Sequence, residues 1–69
     1  MEITIRVNGE RITVSEADYV KTKTADLHEY GYTNLTESEV KSQLILLLAG
    51  KQWTNVIGAF IAGDQPQAV

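Results

Sequence analysis

The side chains able to do chemistry are few and scattered. His28 is the only histidine, and the chain has no cysteine. Histidine ordinarily titrates close to neutrality, so His28 is the first candidate for a general acid or base. That role needs a partner group and a pocket, and the sequence specifies neither. His28 reads instead as a surface or packing residue. Ser15, Ser38 and Ser42 lie outside any G-x-S-x-G elbow. The five glycines fall at turns and helix ends rather than in a phosphate-cradling loop. A zinc site would need carboxylates beside one histidine, an uncommon set in structural sites. The chain therefore reads as a non-enzyme, with no cofactor and no metal.

Charge narrows the partners. Nine acidic residues face six basic ones, for a net charge of −3. Nucleic-acid binders ordinarily carry a basic balance or a dense basic patch, so nucleic acid is a disfavoured partner. The alternative of a helix-turn-helix DNA-binding regulator would need a recognition helix with polar and basic residues for base edges. Residues 53–62 offer only Trp53, Thr54 and Asn55 as hydrogen-bonding side chains, and no Arg or Lys. No segment reaches the roughly 20 apolar residues of a membrane span. The opening lacks the basic region and apolar core of a signal peptide. A cytoplasmic location without membrane association is the expectation.

Positioning these groups falls to the stretch LTESEVKSQLILLLAG, residues 35–50. Thr36 is a good N-cap, and Glu39 three residues on completes a capping box. Glu37 and Glu39 also set negative charge at the positive end of the helix dipole. Gly50 supplies a left-handed stop, which predicts a helix over 37–49. Val40, Leu44, Leu47 and Leu48 share one face at about 100° per residue. Ile45, Leu46 and Ala49 make the last turn apolar nearly all round, so that end is expected at the centre of the molecule.

Residues 2–15 read as a β-hairpin. Ile3, Ile5 and Val7 alternate with polar residues, as do Ile12 and Val14, and Asn8-Gly9 between them favours a two-residue turn. That turn pairs Val7 with Glu10, Arg6 with Arg11, Ile5 with Ile12, Thr4 with Thr13, and Ile3 with Val14. The apolar pairs then share one face. Arg6 and Arg11 stand opposite each other on the other face and read as two solvated arginines near Glu10, with a small basic tip for an acidic partner group as the functional alternative. The opening MEITIRVNGERITV resembles the first hairpin of β-grasp domains, such as ubiquitin-like and plant-type ferredoxin folds. The later strands of that fold and the ferredoxin cysteines are not evident, so the resemblance implies no function.

Residues 16–30 read as a helix capped by Ser15, with Val20, Thr24 and Leu27 as its stripe and Gly31 as its stop. A third strand over 19–24 competes, since that stretch alternates and is rich in strand formers. Tyr30 and Tyr32 flank Gly31 and read as hinge packing. Residues 53–62 read as a last helix, with a strand over 55–61 as the alternative. Thr54, Gly58 and Ala62 would line a ridge of small residues on that helix. Residues 63–69 read as a flexible tail.

The expected architecture is α+β, an N-terminal antiparallel β-hairpin packed against a three-helix cluster, with one compact domain over 1–62. Its core should hold Ile3, Ile5, Ile12, Val14, Val20, Leu27, Val40, Leu44, Leu47, Leu48, Ile57 and Phe60. A fold of 69 residues without disulfides is marginal in core and gains from oligomerising, so a homodimer is expected. With no catalytic set and apolar residues in surplus, the leading expectation is a small acidic protein-interaction module. It would be a freestanding regulator or inhibitor that binds another protein's surface. The alternative is a structural or assembly subunit. The candidate interaction residues are Trp53, Ile61, Leu46, Ile45, Glu29, Glu37, Glu39, Arg6 and Arg11.

Overall fold

A computed structural model describes the whole chain, Met1–Val69. Strands β1 (Glu2–Val7) and β2 (Glu10–Ser15) form the hairpin. Helices α1 (Glu16–Glu29), α2 (Glu37–Leu48) and α3 (Val56–Gly63) follow, and a two-residue strand β3 (Gln67–Ala68) ends the chain. Asn8 and Gly9 take φ of 51° and 82°, the paired positive values that a tight hairpin turn of matching twist requires. The strands pair in the register that this turn predicts, from Val7–Glu10 down to Ile3–Val14.

Local signals place the helices. The Ser15 hydroxyl accepts from the Asp18 amide at 3.0 Å, and Tyr19, Val20, Thr24 and Leu27 are buried along α1. That common burial is why 19–24 is helical despite its strand formers. The Thr24 hydroxyl donates to the Val20 carbonyl at 2.6 Å, so its burial leaves no orphaned group. The capping box of α2 is complete, with the Glu39 amide donating to Thr36 Oγ1 at 3.2 Å and the Thr36 amide to Glu39 Oε1 at 3.3 Å. The last segment is a helix, but it starts at Val56 because Asn55 takes the N-cap, its Oδ1 accepting from the Gly58 amide at 3.0 Å.

The chain end departs from expectation. In place of a flexible tail, β3 pairs with β1 through Ile3–Ala68 and Thr4–Gln67, giving the antiparallel strand order β2-β1-β3. The Arg6 amide donates to the Asp64 carbonyl at 2.7 Å, the Val69 amide donates to the Glu2 carbonyl at 3.4 Å, and Pro66 is buried. The physical reason is the free edge of β1, whose unpaired N–H and C=O groups the returning chain satisfies.

The core comprises Ile3, Ile5, Tyr19, Val20, Leu27, Leu35, Val40, Leu44, Ile57 and Ile61, with Val14, Tyr32, Leu47 and Leu48 packed partly against it. Two expected members lie outside. Ile12 is 40% exposed although its cross-strand partner Ile5 is buried, because it lies on β2 at the edge of the sheet while Ile5 lies on the central strand β1. Phe60 is 42% exposed, displaced by Ile61, which is fully buried. The last turn of α2 is also less enclosed than its composition suggests, with Ile45 49% exposed and Leu46, Leu47 and Leu48 half-buried.

Candidate functional site

The most organised surface lies where α1 ends against α3. Tyr30 caps α1, its amide donating to the carbonyls of Asp26 and Leu27 at 3.2 Å. Gly31 then turns the chain with φ of 107°, a value that suits glycine and few others. The following bonds tie the connection down. The Tyr32 amide donates to the Leu27 carbonyl at 3.0 Å, and the Leu35 amide to the Tyr32 carbonyl at 3.2 Å. His28 Nε2–H donates to the Leu35 carbonyl at 2.7 Å, so the lone histidine staples the turn.

This turn sets the two tyrosines against Phe60 of α3. Tyr30 stacks on Phe60 with ring centroids 6.4 Å apart and planes 15° apart, and Tyr32 meets the same ring edge-on at 5.8 Å and 67°. Both arrangements suit the aromatic quadrupole. Tyr30 is 77% exposed and Val56, one helical turn from Phe60, is 53% exposed. Two shallow grooves flank the ridge. Asp26, Glu29, Leu27 and Lys23 line one beside Tyr30 and Phe60. Asn34, Leu35, Glu39 and Asn55 line the other beside Tyr32 and Val56. Lys23 is engaged by Asp64 at 2.9 Å, whereas Asp26 and Glu29 form no ion pair, so this rim is acidic.

A second cluster joins α1 to the chain end. Tyr19 OH donates to Asp64 Oδ2 at 2.5 Å, and Lys23 Nζ approaches the same oxygen at 2.9 Å. Burial, then the bond to the carboxylate, then its negative charge, hold the Tyr19 phenol well above the ordinary value of 10.0. The neutral phenol thus acts as a donor that latches the returning chain.

The candidate interaction residues are dispersed. Glu29 lines the acidic rim. Glu39 reaches the second groove, but its carboxylate is held by the Thr36 amide and hydroxyl. Glu37 lies in a separate groove between the starts of α1 and α2, with Glu16 and Lys41. Ile45 and Trp53 are exposed but line neither groove beside the ridge, and Leu46 is half-buried. Ile61 is core rather than surface, so that assignment is corrected. Arg11 is no free basic tip. Its Nη1 donates to the Gln65 carbonyl at 2.6 Å and Thr4 Oγ1 at 3.3 Å, while Arg6 Nη2 reaches the Gly9 carbonyl at 3.5 Å.

Sequence reasoning missed the ridge. Its one signal is Tyr30-Gly31-Tyr32, and the apolar pattern of 53–62 places the third ring, Phe60, in the core. The Thr54-Gly58 ridge of small residues is also spoken for, since Gly58 is buried against Trp53 and Gln43 of the same chain. No helix is long and apolar enough to cross a membrane. No family model, curated protein or solved structure matches the chain.

Proposed function

We infer that this chain is a protein-interaction module that docks another protein on the Tyr30–Phe60–Tyr32 ridge and regulates or inhibits it by occlusion. The observation that carries this reading is the ridge itself: two tyrosine rings that both contact Phe60, with the outermost, Tyr30, 77% exposed. Rings fixed by one another lose little conformational freedom on binding, and aromatic anchors commonly dominate interface energies. Asp26 and Glu29 at the rim favour a partner that is apolar with a basic border. The helix-turn-helix alternative finds less support, because α3 carries no Arg or Lys and exposes Val56 and Phe60.

The test uses a lysine-bordered amphipathic helical peptide as probe, titrated into isotopically labelled protein. Amide shifts are expected around Tyr30, Tyr32, Val56 and Phe60, with binding weakened at least about tenfold by Tyr30→Ala. Shifts centred on Trp53 and Ile45 with Tyr30→Ala binding normally would overturn the reading.

A further inference from the structure

We propose that β2 is the seam of a homodimer, in which two copies pair their β2 strands antiparallel about Thr13 to make one continuous six-stranded sheet. The backbone phase carries this. Arg6 N–H and Glu2 C=O bond the C-terminal segment, so even-numbered residues of β1 direct their backbone groups toward β3. Odd-numbered Ile3, Ile5 and Val7 therefore exchange the hairpin bonds with Val14, Ile12 and Glu10. Arg11 and Thr13 are left with N–H and C=O aimed out of the sheet, and β2 has no second neighbour.

Edges of this kind are usually blunted by lysine, proline or a bulge. The strand Glu10–Ser15 has no lysine or proline, and its pairing with β1 is unbroken by a bulge. Its one basic side chain, Arg11, is drawn back over its own sheet to Thr4 and Gln65, which leaves the edge clear.

The sequence of the strand selects a second copy as occupant. Pairing about Thr13 sets Thr13 against its own equivalent, Arg11 against the second copy's Ser15, and Ile12 against the second copy's Val14. The first two pairings use the outward backbone groups, and the third covers Ile12, which is 40% exposed in the single chain. No like charges oppose each other between Arg11 and Ser15. Across the outer face the row runs Arg6, Arg11, then the second copy's Ser15 and Glu2. Glu2 of the second copy lies two strands beyond Arg11 in this row and has no ion pair in its own chain. The two-fold axis repeats these pairings at the other end of the seam.

Thr13→Pro tests the seam. Proline removes an N–H that the hairpin does not use, at an edge position that tolerates it. Sedimentation equilibrium is expected to give a dimer for the native chain and at least about a tenfold weaker one for Thr13→Pro. Should that variant misfold by circular dichroism, Thr13→Cys serves instead. The chain has no other cysteine, so oxidation should lock the dimer with a disulfide, whereas Thr4→Cys on the neighbouring strand should form no cross-link. A native monomer overturns the proposal. So does a dimer that Thr13→Pro leaves intact, or oxidation that links Thr4→Cys as readily as Thr13→Cys. Peptide binding at the aromatic ridge is read separately, so either proposal can fail alone.

Discussion

Gln43 and Thr54 are joined twice: Gln43 Oε1 accepts from the Thr54 amide at 3.0 Å, and its Nε2 donates to Thr54 Oγ1 at 2.7 Å. Gln43 is one of only two buried polar side chains outside the apolar core, and it fixes the approach to α3 from the side of α2. Replacing it with Met keeps the volume but leaves the Thr54 groups without partners. A loss of about 1–3 kcal/mol is expected, read as a drop in melting temperature by circular dichroism. An unchanged midpoint would mean that water replaces the glutamine.

Gly58 sits under the same clip. A Cβ there would fall 2.6 Å from Gln43 Oε1 and against the Trp53 Cβ. Gly58→Ala gains up to about 1 kcal/mol of helix propensity, but overpacking costs about 1–3 kcal/mol. Because the Trp53 contact is a Cβ bound to backbone, the clash should win. Urea denaturation should show a net loss, and a gain would show that α3 can slide away from α2.

The Tyr19–Asp64 latch gives a pH dependence whose sign follows from burial. The folded phenol is held above its ordinary value of 10.0, so the unfolded chain ionises first as pH rises. The latch's stabilisation is fully present below about pH 9 and is lost progressively above about pH 10. Tyr19→Phe removes this contribution. Denaturant midpoints compared at neutral pH and near pH 11 should fall more for the native chain than for Tyr19→Phe. Parallel pH profiles would rule the latch out as their source.

Deleting 64–69 removes β3 and the acceptor for the Arg6 amide. Hydrogen exchange at Arg6 should become fast while Ile5, bonded within the hairpin, stays protected. Loss of protection at both would show that the hairpin depends on the C-terminal segment to persist.

Leu44 is fully buried at the centre of α2. Leu44→Ala should cost roughly 2–5 kcal/mol, a large share of the stability of a domain of this size. Calorimetry of the variant checks this, and a near-native midpoint would mean that the core closes over the cavity.

Local chemistry settled much of this fold before any contact was known. Asn8-Gly9 together with the alternation of Ile3, Ile5, Ile12 and Val14 determined the hairpin and its register, since turn type and side-chain period admit one pairing. Thr36 with Glu39, Ser15 with Asp18, and Gly50 likewise set helix ends, because caps act over three or four residues. The α+β class and most of the core followed from those elements.

Only the tertiary structure decided which apolar residue at the margin goes inside. Ile61 rather than Phe60 is buried, and Ile12 stays exposed on the edge strand, because burial there depends on where neighbouring elements lie. The same holds for the chain end, where Pro66 and Gln67–Ala68 show no strand pattern yet satisfy a β1 edge laid down some 60 residues earlier. The aromatic ridge shares that origin. Tyr30 and Tyr32 lie nearly 30 residues from Phe60, and a contact at that separation leaves no period or spacing in the chain.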